Sequence, residues 1–227
     1  MAGRISYLGG IVRNGLVLDL DAAKLDSYPK FGTTWRDITF NQNNGSLING
    51  PTFNSLNGGS IVFDGTNDYT DITNIPFGTN PFSINLWFKM DGLQSINNAL
   101  ISVNALGTTN NWQLSFINSN ELRFFYKGSG GTDAFSLSYT FISNVWTNVC
   151  ITKDSNNDIR SYVNASQTAT VNYAGNYNHT EIIRLGINRS NAAFFDGNIS
   201  VVHLYSNKGL TSTEVLQNYN AIKGRYL

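Results

Sequence analysis

In FSINLWFKM, residues 82–90, apolar side chains fall at Phe82, Ile84, Leu86 and Phe88, while Ser83, Asn85, Trp87 and Lys89 take the alternate positions. A period of two predicts a strand with one face in a core and the other wetted. Similar runs occupy 15–20, 60–64, 98–103, 112–117, 121–127, 146–152, 159–164, 182–187 and 198–205, with Gly, Asn, Asp and Pro gathered between them. About ten such strands predict an all-β fold, a two-sheet antiparallel jelly-roll sandwich.

Turn chemistry marks the boundaries. Asp64-Gly65 and Asn67-Asp68 flank Thr66 and predict a short hairpin, Ser119-Asn120 separates WQLSFIN from ELRFFYK, and Asp154 to Asp158 folds WTNVCITK back onto IRSYVN. Near the end of the chain, Thr211 with Glu214 three residues on forms a capping box. It predicts a short C-terminal helix whose Val215, Tyr219 and Ile222 share one face, placed to close an end of the sandwich.

Composition narrows the function classes. Of 227 residues, 41% are hydrophobic and 13% aromatic, enough for a sizeable core. Only 13% are charged, with a formal net charge of zero. That balance argues against nucleic-acid partners, which need clustered Lys and Arg, and no segment has the length of a membrane span or a signal-peptide core. Cys150 is the single cysteine, so the fold has no intrachain disulfide and suits assembly in a reducing cytoplasm. No linker breaks the chain, which reads as an N-terminal arm or attachment segment over 1–13 and one β-sandwich domain over 14–227.

Candidate chemistry is sparse. Asp19 and Asp21 share one side of a strand and could hold a calcium ion, although Asp19 also reads as a solvated residue and Asp21 as a turn cap. Asp64 and Asp196 recur in the two Phe-Asp-Gly triplets and read as ligands or as turn aspartates. His179 and His203 have no His or Cys at metal-ligand spacing, and Cys150 sits mid-strand, where burial is usual. Sugar binding fits the residue types better, since pyranoses are held by an aromatic platform and by amides or charged groups that satisfy several hydroxyls. Asn111 and Trp112 stand at the mouth of one strand, Arg123 with Phe125 and Lys127 shares a face of the next, and Tyr177 and Asn178 lie in a loop.

The stretch from Thr33 to Ile72, TTWRDITFNQNNGSLINGPTFNSLNGGSIVFDGTNDYTDI, followed by FSINLWFKM and later by WTNVCITKD, resembles a laminin-G or concanavalin A-like lectin/glucanase domain of the kind found in marine bacteriophage virion proteins. The resemblance implies the same sandwich. It implies no required cofactor and leaves room for a structural calcium near a sheet edge, for which the Phe-Asp-Gly residues Asp64 and Asp196, with Asp68, are the other candidate ligands beside Asp19 and Asp21. Two departures stand out: Asn164 is followed by Ala165 where the family usually has Asn-Gly, and Ser200 and Val201 replace an acidic pair. Glucanases of this fold carry Glu-x-Asp-x-x-Glu on one strand, a string absent here, where glutamate occurs only at Glu121, Glu181 and Glu214. The expected function is therefore a non-enzymatic phage virion protein, a capsid decoration or tail-fibre component whose lectin-like domain binds surface glycans. Its expected partners are viral coat or tail proteins, on which it would be oligomeric. The alternatives are a decoration subunit that binds only its coat neighbours, and an accessory domain of polysaccharide degradation.

Overall fold

The computed structural model describes residues 10–103, 110–128 and 131–227. Among them sixteen strands run in chain order: β1 (Leu16–Asp21), β2 (Thr34–Trp35), β3 (Gly45–Ile48), β4 (Thr52–Asn54), β5 (Ser60–Asp64), β6 (Tyr69–Ile72), β7 (Phe82–Met90), β8 (Ala99–Val103), β9 (Asn111–Asn118), β10 (Glu121–Gly128), β11 (Gly131–Thr140), β12 (Thr147–Lys153), β13 (Asp158–Val163), β14 (Ser166–Asn172), β15 (Ile183–Leu185) and β16 (Asp196–Ser206). One α-helix, α1 (Ser212–Ile222), follows and ends in a tight turn, Lys223–Arg225.

The strands form two 8-stranded antiparallel sheets. The first runs β14-β13-β12-β7-β16-β5-β4, with β1 also paired to β16; the second runs β11-β10-β9-β8-β15-β6-β3-β2. Alternation decides what lies between them. Ile84, Leu86, Phe88, Ile151, Val202 and Leu204 of the first sheet and Trp112, Leu114, Phe116, Leu122 and Phe124 of the second meet in one core. An aromatic seam joins the layers: Phe77 stacks on both Phe82 (4.6 Å) and Trp112 (5.6 Å), and Phe195 lies against Phe88 and Phe116.

Three expectations are corrected. The alternate face of β7 is not wetted: Ser83, Asn85 and Trp87 are buried, because α1 and the segment before β1 cover the outer face of the first sheet. α1 therefore lies across a sheet, not over an end of the sandwich. Its Val215 and Ile222 are buried, Tyr219 stacks 5.4 Å from Trp87, and Tyr226 stacks on the same indole at 4.5 Å. Its N-terminus carries the capping box, with Glu214 N donating to Thr211 Oγ1 and Thr211 N donating to Glu214 Oε2. Third, the turn at 64–68 is no hairpin, since β5 belongs to the first sheet and β6 to the second. It is a corner between layers, closed by backbone N–H groups of Thr66, Asn67 and Asp68 donating to Asp64 Oδ1.

The hairpins at Ser119-Asn120 and at 154–158 form, joining β9 to β10 and β12 to β13. Of the N-terminal arm, residues 1–9 lie outside the described residues. From Gly10 onward it is fastened to α1: Gln217 Nε2 donates to Gly10 O, Val12 N to Asn218 Oδ1, and Tyr205 Oη to Val12 O.

Candidate functional site: the outer face of the second sheet

On β9, Trp112, Leu114 and Phe116 point into the core, which turns Asn111, Gln113 and Ser115 to the outer face. β10 repeats the pattern, with Leu122, Phe124 and Tyr126 inside and Arg123, Phe125 and Lys127 outside. The segment after β15 then folds back across this face. Ser102 Oγ donates to Ile187 O (2.7 Å), Arg189 N donates to Gln113 Oε1 (3.2 Å), and Asn188 Oδ1 closes the loop by accepting from Ala192 N (3.0 Å). Arg189 is thereby laid over Phe125, its guanidinium carbon 4.2 Å from the ring centroid, with Nη1 3.4 Å from Asn111 Oδ1. Arg123 approaches the same ring at 5.8 Å and donates from Nη2 to Asn97 Oδ1 at 2.7 Å.

Neither guanidinium is ion-paired among the described residues, whereas Arg184 on the same face is bonded to Asp71 at 2.6 Å. Partial burial pushes the pKa of Arg123 down from its usual value, and burial followed by the charge of Arg123 does the same to Arg189. Starting from an arginine value so far above neutrality, both remain cations.

The sugar-binding residues read from the sequence separate into three places. Asn111 and Arg123 share this face, Asn111 fully buried beneath Arg189 and Arg123 half-buried beside Phe125. Trp112 is fully buried, stacked on Phe77, and Tyr177 is buried against Phe82 at 4.9 Å, so neither offers a ring face to a sugar. Asn178 is exposed at the rim, in a polar hollow of about 440 Å³ lined by Pro76 to Asn80, Asn176, Asn178, Ser206 and Asn207. Tyr177 N donates to Gly78 O and the buried Lys153 Nζ to Thr79 O, which holds the two rim loops together. Sequence reasoning missed Arg189 and Gln113. Gln113 was legible as the outward neighbour of Trp112, but no local signal reveals that the 187–191 loop crosses β9.

The metal candidates are placed as follows. Asp19 is fully buried, not solvated: Oδ2 meets Arg13 (3.3 Å) and Lys24 (3.8 Å), and Oδ1 lies 3.3 Å from His203 Nε2 in an off-axis, electrostatic contact. Burial alone would raise its pKa, but the His203 imidazole, Lys24 and Arg13 outweigh it and hold the carboxyl at about 2. Asp21 takes both guanidinium nitrogens of Arg225 (2.7 and 2.9 Å), with Lys24 at 3.2 Å. Cations already occupy the positions a calcium would neutralise. Asp64 and Asp196 are register partners at the corner between layers, and the carboxylate of Asp64 accepts the turn N–H groups. Burial raises the pKa of Asp68 and Asp196, helped by Asp64 for the first and by Asp91 and Asp64 for the second. No group of three metal-ligating side chains occurs among the described residues. The oxygens of Glu121 are held by Ser136 and Asn118, and Glu214 is held by Lys208 and Thr211. Cys150 is fully buried, which pushes its thiol pKa far above the usual range.

Comparison with known proteins places this geometry. A search of curated proteins gave no match in sequence. Among solved structures, the binding domain of Paraclostridial Mosquitocidal Protein 1 superposes with a TM-score of 0.73 at 18% identity, over 91% of this chain and 52% of that one. Domain 4 of AbnA, a GH43 extracellular arabinanase from Geobacillus stearothermophilus solved with arabinotriose, gives 0.70 at 14% identity, over 92% of this chain and 100% of that one. A structure of botulinum neurotoxin type C, whose cell entry depends on two ganglioside molecules, gives 0.70 at 13% identity, over 92% and 51%. This chain spans about half the length of the toxin domains it matches. These likenesses fix a lectin-like fold. The family model described as Concanavalin A-like lectin/glucanases superfamily matches residues 64–216, well over half of the sequence, and the chain belongs to that superfamily.

Proposed function

We propose that this chain is a non-catalytic, glycan-binding module presented on a phage particle, and that it binds through the outer face of the second sheet. One observation carries the reading: the half-buried Arg123 and Arg189 converge there on Phe125, with the buried Asn111 and Gln113 holding Arg189 in place. The opposite outer face is sealed by α1. Guanidinium donors positioned by buried amides suit sugar hydroxyls, which need several directional partners at once. Two structural neighbours, one solved with arabinotriose and one named for its dependence on gangliosides, support sugar recognition as a use of this frame. The glutamates serve hydrogen bonds and a helix cap and Asp64 closes a corner, so the module works without a cleavage step and without a required metal.

The phage setting rests on the sequence resemblance, and on a fold held by packing with its only thiol out of reach. Assembly in the host cytoplasm and attachment to coat or tail proteins through the N-terminal segment follow from it. A decoration subunit without glycan recognition is the second reading, favoured by the exposed apolar side chains Leu25, Phe31 and Phe40. A glycan array probed with the isolated chain tests the choice. Binding that is lost in Gln113→Ala supports the module, whereas a blank array from a chain that co-sediments with phage particles supports the decoration subunit.

A further inference from the structure

We infer that the ligand of this face is an anionic glycan, one whose carboxylate or sulfate group sits between Arg123 and Arg189. The inference rests on the proposed glycan-binding role and deepens it.

The chain has equal numbers of acidic and basic residues, and where its cations are partly buried they are generally answered. Arg160 is bonded to Asp154 and Asp158, Arg184 to Asp71, Arg225 to Asp21, and Lys208 to Glu214. Lys153 is answered by a carbonyl, Thr79 O, and Arg123 and Arg189 depart from the pattern as a pair. They are brought together on one phenyl ring, at 5.8 and 4.2 Å, with no carboxylate in ion-pair reach among the described residues. Glu121, two residues before Arg123 on the same strand, is occupied by Ser136 and Asn118. Holding two like charges side by side opposes folding, and an anion placed between them reverses the sign of that interaction.

Hydrogen bonding gives the same answer. Arg123 Nε is buried and has no acceptor among the described residues. Of the five or so N–H groups on each guanidinium, those bonded among the described residues reach Asn97 from Arg123 and Asn111 from Arg189. A planar guanidinium presents its remaining N–H groups in a fixed fork, the geometry that matches a carboxylate or sulfate with two oxygens. Phe125 is 6% exposed and both guanidiniums pack on it, so the ring serves to position them and offers no stacking platform of its own. Lys127, on the same side of β10, extends the positive strip along the strand, with no ion pair among the described residues.

The test is calorimetric titration with ligands matched in backbone and different in charge: sialyllactose against lactose, polygalacturonate against its methyl ester, and dextran sulfate against dextran. The expected result is that at least one acidic member binds about tenfold or more tighter than its neutral twin, and that its affinity falls as salt is raised. The pair that responds separates carboxylate from sulfate. Arg123→Gln and Arg189→Gln should each abolish the preference with thermal midpoints nearly unchanged. Arg189→Lys, which keeps the charge and loses the fork, should retain part of it, and Arg160→Gln on the first sheet should leave it intact. Should Arg123→Gln disturb folding, Arg189→Gln alone decides. Equal binding of charged and neutral twins, or a preference that survives Arg189→Gln, overturns the anionic assignment and leaves glycan binding standing. No binding to any of the six removes both.

Discussion

Asp19 illustrates how a single buried charge is made tolerable. Its side chain is fully buried on β1, where an unpaired carboxylate would cost several kcal/mol. The cost is met locally by Arg13, Lys24 and His203. The imidazole is oriented in turn, because Asn148 Nδ2 donates to Asn85 Oδ1, which leaves Asn85 Nδ2 to donate to His203 Nδ1. That assignment puts the ring proton on Nε2, facing Asp19. Folding lowers the Asp19 pKa from 3.8 to about 2, so its contribution is fully present above about pH 4 and is lost as pH falls toward 2. The shift corresponds to about 2 kcal/mol at neutral pH. Asp19→Asn should therefore lower stability at pH 7 by roughly that amount, and the gap to the parent protein should close by about pH 2. Urea unfolding of both proteins at pH 7, 4, 3 and 2 measures it, and a gap that stays constant with pH would contradict the account.

At the scale of elements, the turn between β13 and β14 carries the clearest local conflict. Asn164 and Ala165 both have positive φ, 49° and 65°, in the two-residue connection between Val163 and Ser166. Asparagine tolerates that region, but alanine pays for its Cβ there, and the usual residue at the second position is glycine. Ala165→Gly should stabilise the protein by about 0.5–1 kcal/mol and raise the thermal midpoint by a few degrees, readable by calorimetry. The departure from Asn-Gly was visible in the sequence, and its backbone consequence was not. The same limit governs the strands. β7, β9, β10 and β16 were legible because a hydrophobic stripe two residues apart has one meaning when bounded by turns. β14 was not, since SQTATVN is a mostly polar edge strand with little buried, and β3 and β6 are too short for alternation to register. Alternation also leaves open what covers a polar face. It marks Asn85 and Gln113 alike as outward-facing, yet both are buried, because α1 comes to rest over the first face and the 187–191 loop over the second.

For the molecule as a whole, that helix divides the labour between the two outer faces. On the first sheet, Tyr226 stacks against Trp87 and Trp146 and donates its hydroxyl to Ser200 Oγ at 2.6 Å, while Arg225 grips Asp21. These contacts tie Arg225 and Tyr226 to β1, β7 and β16, which are paired side by side in the first sheet. On the second sheet, the half-buried Arg123 and Arg189 are held over Phe125 by Asn97, Asn111 and Gln113, so the guanidiniums are fixed without being fully covered. Two layers about 10 Å apart separate the regions, and changes on one side should add to changes on the other without coupling. Tyr226→Ala removes a half-buried ring and strands a serine hydroxyl, which should cost about 2 kcal/mol or more and lower the thermal midpoint by several degrees. Titrated well below that midpoint, the variant should bind glycan with a dissociation constant within about twofold of the parent. A parallel loss of affinity would mean that the first sheet transmits strain through the core to Arg123 and Arg189, and that stability and recognition are not separable in this fold.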